Sequence, residues 1–275
     1  MNIGGEGPIW LVGAGNMGGA MLRGWLDAGI DPARITVIRP SGKPIAEGVR
    51  VLPAPPPDGE EPAVLVLAVK PQKLDDVAPG LVPMVGEGTL IVSVLAGAEI
   101  ASLTKRFPDH RAIVRVMPNT PVAIGKGVLL LHTNAADDSA RAEAEALSRP
   151  LGMVEWIEDE ALFGVATAVS GCGPAFLFRF IDALAKAGEE AGLPADQAAR
   201  LALGTVEGSA LLAAGSEESP ARLADRVASP GGSTRAGLDV LDENEALDRL
   251  LAETVRASVR RNAEMAAEAA RGGKA

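Results

Sequence analysis

Two glycine-rich turns, far apart in the chain, carry residue types suited to holding anions. The first, IWLVGAGNMGGAM, sets Gly13, Gly15 and Gly18 in G-x-G-x-x-G spacing, after an apolar run and at the start of a helical pattern. There the first glycine permits a tight turn, the second lets a diphosphate approach the backbone, and the third lets helix and strand pack closely. Unpaired N–H groups at the helix start, and its dipole, favour the anion. The second turn lies in DRVASPGGSTRAGLDVLDEN, Asp225 to Asn244. Gly231 and Gly232 let backbone N–H groups point into one concavity, and Ser233 or Thr234 can cap the helix that follows. Such a nest grips a small carboxylate without a buried cation. The bland reading of each is structural, a glycine turn and a helix cap.

Charge explains why backbone donors matter. Lys and Arg number 26 against 36 Asp and Glu, a net charge of −10. No cluster of basic residues is present, so nucleic acid and anionic membranes are not expected partners. An anionic ligand must be gripped locally, against an unfavourable field.

The elements around the turns follow from apolar patterning. Strands are expected at Pro8–Val12, Arg34–Ile38, Ala63–Val69, Thr89–Ser93, Ala112–Met117 and Gly127–His132, mostly as continuous Val, Ile and Leu runs covered on both faces. Helices are expected between them at Asn16–Ala28, Lys73–Met84, Ile100–Phe107 and Asp137–Ser148. This alternation predicts an α/β, doubly wound, mostly parallel sheet of the Rossmann type over residues 1–160. After Ile157 the strand signal ends. Gly173–Gly192, Pro194–Ala214, Ser219–Ala228 and Asn244–Arg271 read as helix, an all-α domain over 161–275. Several of these helices are apolar on more than one face, as in LALGTVEGSALLAAG, and a domain of this size cannot bury them alone. A subunit interface is expected.

The second strand, ITVIRPSGK, refines the ligand. An NAD site usually has a carboxylate at this strand's end for the ribose hydroxyls. Arg39, Ser41 and Lys43 stand there instead, and a guanidinium with a hydroxyl suits a 2′-phosphate. NADPH is therefore the preferred cofactor, with NADH as a weaker one. Between this strand and the next, KPIAEGVRVLPAPPPDGEEP leaves little room for the usual crossover helix, so an irregular loop is expected around Lys43–Gly48, with an extended Pro53–Pro62 behind it.

Other features are quiet. No apolar run reaches the ~20 residues that span a bilayer, and MNIGGEGPIWLVGAG has no basic leader region. Cys172 is the sole cysteine, which fits a reducing cytoplasm and excludes an intrachain disulfide. No Lys, Arg or His stands near it to activate the thiol. His110 and His132 fall outside every motif, and no metal-ligand spacing occurs.

Taken together, GAGNMGGAM, LAVKPQ (Leu67 to Gln72), RVMPNTP (Arg115 to Pro121), AVSGCGPAF (Ala168 to Phe176) and DRVASPGGSTRAGL resemble pyrroline-5-carboxylate reductase, in order and along nearly the whole chain. The resemblance implies NADPH-dependent reduction of 1-pyrroline-5-carboxylate to L-proline, the last step of proline synthesis. It also implies a homodimer through the helical domain, which in the family can assemble further into a decamer of five dimers. By the same resemblance Gly13, Gly15, Asn16, Met17 and Gly18 line the diphosphate, and Arg39 and Ser41 meet the adenosine phosphate. Ala68, Val69 and Lys70 flank the cofactor at a strand end, and Asn119 and Thr120 lie near the nicotinamide. Ser229 and the backbone of Gly231, Gly232 and Ser233 bind the substrate carboxylate. Thr234 hydrogen-bonds the ring nitrogen, which Glu217 also faces.

Two other classes share the plan. A hydroxyacid dehydrogenase would place a lysine early in the helix after the domain junction, whereas in GPAFLFRFIDALAKAGEEAG the first lysine is Lys186, near its end. A non-catalytic NADP-binding subunit would have no need of the SPGGST turn. A reductase of a related cyclic imine remains compatible with the motifs.

Overall fold

The computed structural model describes residues 7–56 and 59–270. The order of elements is β1 (Ile9–Val12), α1 (Asn16–Asp27), β2 (Ile35–Ile38), β3 (Arg50–Leu52), β4 (Val64–Leu67), α2 (Leu74–Leu81), β5 (Leu90–Ser93), α3 (Ile100–Arg106), β6 (Ala112–Pro118), β7 (Gly127–His132), α4 (Asp138–Ser148), β8 (Gly152–Trp156) and α5 (Glu160–Ser170). Helices α6 (Gly173–Glu190), α7 (Ala195–Ala214), α8 (Pro220–Val227), α9 (Ser233–Asp242) and α10 (Ala246–Ala270) follow. The chain divides into two compact units, Met1–Cys172 with Ser258–Ala275, and Gly173–Ala257. Helix α5, beyond residue 160, thus stays with the sheet, and α10 belongs to the second unit up to Ala257 and to the first from Ser258.

The strands of the first unit form one sheet in the order β3-β2-β1-β4-β5-β6-β7-β8. Neighbours are parallel from β3 through to β6, and β7 then runs antiparallel to β6 with β8 parallel to β7. Because side chains alternate across a strand, Ile9, Leu11, Val64, Val66, Val92 and Val114 enter one core, with Met21, Trp25 and Leu147 of α1 and α4. Trp10, Leu65, Leu67, Ile91 and Ile113 enter the other, with Leu74, Leu81 and Leu103 of α2 and α3. The continuous apolar strands are continuous because both faces are covered. Trp25 adds direction to packing, since its Nε1–H donates to Leu147 O at 2.7 Å and ties α1 to α4.

Two strands and a helix have weak sequence signals. Strand β3 is only three residues long and opens on a charged one. Strand β8 is an edge strand whose exposed Met153 and Glu155 alternate with half-buried Val154 and Trp156. Helix α5 is small and β-branched, ALFGVATAVS, and buries Phe163 and Ala168. The β2–β3 connection contains no helix, and residues 42–49 are irregular. Of the extended Pro53–Pro62 stretch, Pro57 and Asp58 lie outside the described residues, as does Arg271.

The stretch Glu160–Glu190 is long and apolar enough, by length and composition, to cross a membrane. It folds as two helices parted at Gly171–Cys172, and α5 lies against β7 within the first unit. Its apolar content comes from covering a sheet at one end and presenting apolar side chains at the other.

In the second unit α6 and α7 pair, Gly188 allowing Leu193 and Ala198 to approach. Gly192 (φ +106) ends α6 and Gly215 caps α7. Phe178, Leu211, Leu212, Val240 and Leu250 are each more than three-fifths exposed in the single chain. Covering each of them would contribute roughly 1.5–3 kcal/mol, and apolar exposure on this scale marks an interaction surface.

Two predictions test this fold. Gly152 has φ +146 and faces Gly127, whose carbonyl oxygen would lie 2.0 Å from an added Cβ. Gly152→Ala is expected to cost roughly 2–4 kcal/mol, read as a lower urea midpoint; an unchanged midpoint would show that β7 and β8 do not meet there. Asp137 caps α4, accepting from Ala140 N–H at 2.9 Å and facing Arg111 Nε at 2.9 Å. The Arg111 guanidinium holds its carboxyl well below the usual carboxylate range, helped by the Ala140 and Ser139 donors. The stability this supplies is complete above the ordinary pKa of about 4 and is lost as pH falls below it. Asp137→Asn should flatten the acid limb of stability against pH; an identical limb would exclude the pair as a contributor.

Candidate active site

The glycine loop sits at the carboxyl end of β1, where open α/β sheets bind ligands. Gly13 has φ +92, and its N–H donates to Ile38 O at 2.9 Å. A Cβ there would stand 2.6 Å from Ala68 O, and one at Gly18 would stand 2.4 Å from Gly13 O. Chain geometry alone therefore requires both glycines. Gly15 differs, because a Cβ on it would meet nothing within 4 Å. It is the N-cap of α1, with no side chain capping the helix and no acidic residue in the first turn. Bare amides, a favourable dipole and open space beside Gly15 fit a diphosphate. Asn16 is exposed and Met17 half-buried at the same helix start.

At the end of β2, Arg39 Nε donates to Ser41 Oγ at 2.8 Å, and Lys43 N–H reaches the same oxygen at 3.4 Å. Arg39 N–H is fixed by Leu52 O of β3 at 2.9 Å. The short β3 thus anchors the turn that the missing crossover helix would otherwise support. Ala68 and Val69 follow β4 and are half-buried, whereas Lys70 is exposed.

Asn119, expected near the nicotinamide, is buried at the end of β6. It is 7% exposed, its Nδ2 donates to Ser170 O at 2.9 Å, and its Oδ1 accepts from Val128 N–H at 2.8 Å. Both ends of the amide are spent on backbone, binding the end of β6 to β7 and to the last residue of α5. Thr120, next to it, is exposed. The segment Val94–Glu99, which leaves β5 beside the ends of β4 and β6, also reaches this edge, and no motif singled it out. Its signal was the Ala96–Gly97 pair directly after a strand, with Gly97 at φ +76.

In the second unit, Gly231 has φ +71 and Gly232 N–H donates to Ser229 O at 2.9 Å, closing the turn. Gly232 is the N-cap of α9, and Ser233 and Thr234 are its first two residues. Neither hydroxyl caps the helix, contrary to expectation, because both residues are already inside it. No side chain caps α9, no acidic residue stands in its first turn, and Ser229, Gly231, Ser233 and Thr234 are exposed. Arg235 turns back to Asp225 at 2.8 Å and so braces the turn. Of the two adjacent glutamates, Glu218 pairs with Arg226 at 2.9 Å, while Glu217 is exposed and makes no ion pair among the described residues.

Of the residues left aside as inert, His132 is buried, and His110 and Cys172 are half-buried. His132 is 4% exposed, with Nδ1 2.7 Å from Ile157 O and its ring edge-on to Phe163. His110 Nδ1 lies 2.6 Å from Phe107 O. Cys172 is a free thiol of intermediate exposure. No cluster of three metal-ligating side chains occurs among the described residues.

Comparison with known proteins agrees with this geometry. Residues 160–265 match the family model for pyrroline-5-carboxylate reductase dimerisation, and residues 8–97 match that for NADP oxidoreductase, coenzyme F420-dependent. A pyrroline-5-carboxylate reductase of Pseudomonas aeruginosa is 36% identical over 264 residues, covering 94% of this chain and 96% of the relative. The solved structure of a Coxiella burnetii pyrroline-5-carboxylate reductase superposes with a TM-score of 0.85 at 31% identity, covering 95% and 99% of the two chains. A Plasmodium falciparum pyrroline carboxylate reductase solved with NADP bound gives 0.82 at 28% identity, covering 94% and 98%. With likeness along nearly its whole length, this chain belongs to the pyrroline-5-carboxylate reductase family.

Proposed function

We propose that the chain reduces 1-pyrroline-5-carboxylate to L-proline in the cytoplasm, with NADPH as preferred cofactor and NADH as a weaker one. The observation that carries this reading is the Ser229–Thr234 turn, a helix start stripped of side-chain caps and acidic neighbours in a protein of net charge −10. Its amides suit one small carboxylate, while the α1 start suits a diphosphate. The NADP held by the Plasmodium falciparum relative supports the cofactor assignment.

In this reading residues 1–160 hold the dinucleotide, and residues 161–275 hold the substrate and join two chains as a homodimer. Five dimers then close into a decamer. Gly13, Gly15, Asn16, Met17 and Gly18 take the diphosphate, Arg39 and Ser41 the 2′-phosphate, and Ala68, Val69, Lys70 and Thr120 the remaining edge. Asn119 acts through the backbone it orders. Ser229 and the amides of Gly231 to Ser233 orient the substrate carboxylate. When bound, NADPH supplies hydride from C4 of its nicotinamide to the imine carbon. A cyclic imine is basic enough to arrive protonated, so the C=N electron pair moves onto a nitrogen that already carries its proton. The chain then needs to align and solvate that nitrogen, with Thr234 Oγ and Glu217, and needs no strong acid. In this reading neither histidine is needed, and each is held by a backbone carbonyl, Phe107 O for His110 and Ile157 O for His132.

Thr234→Ala should lower kcat/KM roughly 10- to 100-fold, the loss of one hydrogen bond to a charged group. Its circular dichroism should match wild type, since the hydroxyl caps nothing. Full retention of kcat/KM would remove Thr234 from the site. Arg39→Ala should raise the KM for NADPH about tenfold while leaving that for NADH within about twofold; equal effects on both would place the 2′-phosphate elsewhere.

A further inference from the structure

We propose that Glu160 is a positioning residue for hydride transfer. With one carboxylate oxygen it joins the two strand-end segments that border the reacting half of the dinucleotide. The inference rests on the reductase reading above.

Glu160 is the first residue of α5. Its Oε1 accepts from Arg115 Nη1 at 2.6 Å and from the backbone N–H of Ile100 at 3.1 Å. Arg115 lies on β6 just before Met117 and Asn119, and Ile100 opens α3 directly after the Val94–Glu99 segment. Strands β5 and β6 are neighbours. A dinucleotide with its diphosphate at the β1 end and its adenosine at the β2 end extends its other half past β4, towards β5 and β6. Glu160 therefore pins both remaining walls at once.

Packing does not replace this pin. A cavity of about 200 Å3, lined by Ala96, Gly97, Met117, Phe163, Asn262 and Ala266 among others, lies beside the segment. The polar contacts around it form a frame. Arg115 is 7% exposed and its guanidinium lies 4.3 Å from the centroid of the Phe163 ring, and Asn262 Nδ2 of α10 donates to Gly164 O at 3.0 Å. At the far end of α5, Asn119 holds Ser170 O. Helix α5 is thus fixed at its start, middle and end, and its start carries the carboxylate that sets the two walls.

Loosening the walls should misplace the reacting carbon without releasing a cofactor gripped at β1 and β2. The test compares full-length wild type with Glu160→Ala, Glu160→Gln and the apolar pair Arg115→Met/Glu160→Met. Fluorescence of bound NADPH reports the nicotinamide surroundings, and steady-state turnover of 1-pyrroline-5-carboxylate reports the rate. Glu160→Ala should lower kcat about 100-fold, as a shift of about 1 Å does, with Kd and KM for NADPH within about threefold and altered emission of the bound nicotinamide. Glu160→Gln keeps an oxygen at the same place and should recover most of the rate. The apolar pair leaves no buried charge and should fold stably yet stay slow. A fast apolar pair would overturn the proposal, because the ion pair would then only neutralise a buried charge. Wild-type emission in both Glu160→Ala and the apolar pair would overturn it too. Should Glu160→Ala not fold, the glutamine variant and the apolar pair decide. A wild type that binds NADPH but does not turn over the substrate would defeat the substrate reading alone, and the emission comparison would still judge Glu160.

Discussion

The carbonyl of Ala68 occupies the space where a side chain at residue 13 would otherwise stand, 2.6 Å from that Cβ position. This contact between the ends of β1 and β4 sets how closely α1 can approach the sheet, and Gly18 repeats the constraint one turn later. A helix held so near delivers its uncapped first amides to the carboxyl edge of the sheet. The order of strands, the two cores and the reach of Arg39 all build outward from that edge.

A net charge of −10 would repel both a dinucleotide phosphate and a substrate carboxylate at long range. The chain answers with oriented backbone rather than with clusters of cations. The starts of α1 and α9 lack side-chain caps and acidic first turns, as does that of α3, whose first amide donates instead to Glu160 Oε1. Helices α4 and α5, by contrast, are capped by Asp137 and Asp159, with Asp138 and Glu160 in their first turns. At the end of β2 the Arg39 guanidinium and the Ser41 hydroxyl, 2.8 Å apart, form a fork of donors of the kind that discriminates rather than merely attracts.

Much of this was legible in the chain itself, and the reasons are local. Buried parallel strands read as apolar runs, and the G-x-G-x-x-G and SPGGST spacings read as glycine turns at helix starts. The contacts that escaped are long-range. Nothing near Asn119 in the sequence shows that Ser170, 51 residues on, takes its amide. Arg115 and Glu160 stand 45 residues apart and look like ordinary charges until β6 and α5 are placed together. The capping role expected of Ser233 or Thr234 failed by a single residue, since α9 begins at Ser233 itself. Strand β8 hid because edge strands alternate in polarity and resemble loops.

Gly15 stands apart from its two companions, because nothing in the folded chain forbids a methyl group there. A glycine at an unstrained φ leaves the unfolded chain more freedom than alanine would, and that freedom costs the native state about 0.4–1 kcal/mol. Residue 15 is thus a point where glycine lowers conformational stability although the fold itself sets no steric demand for it.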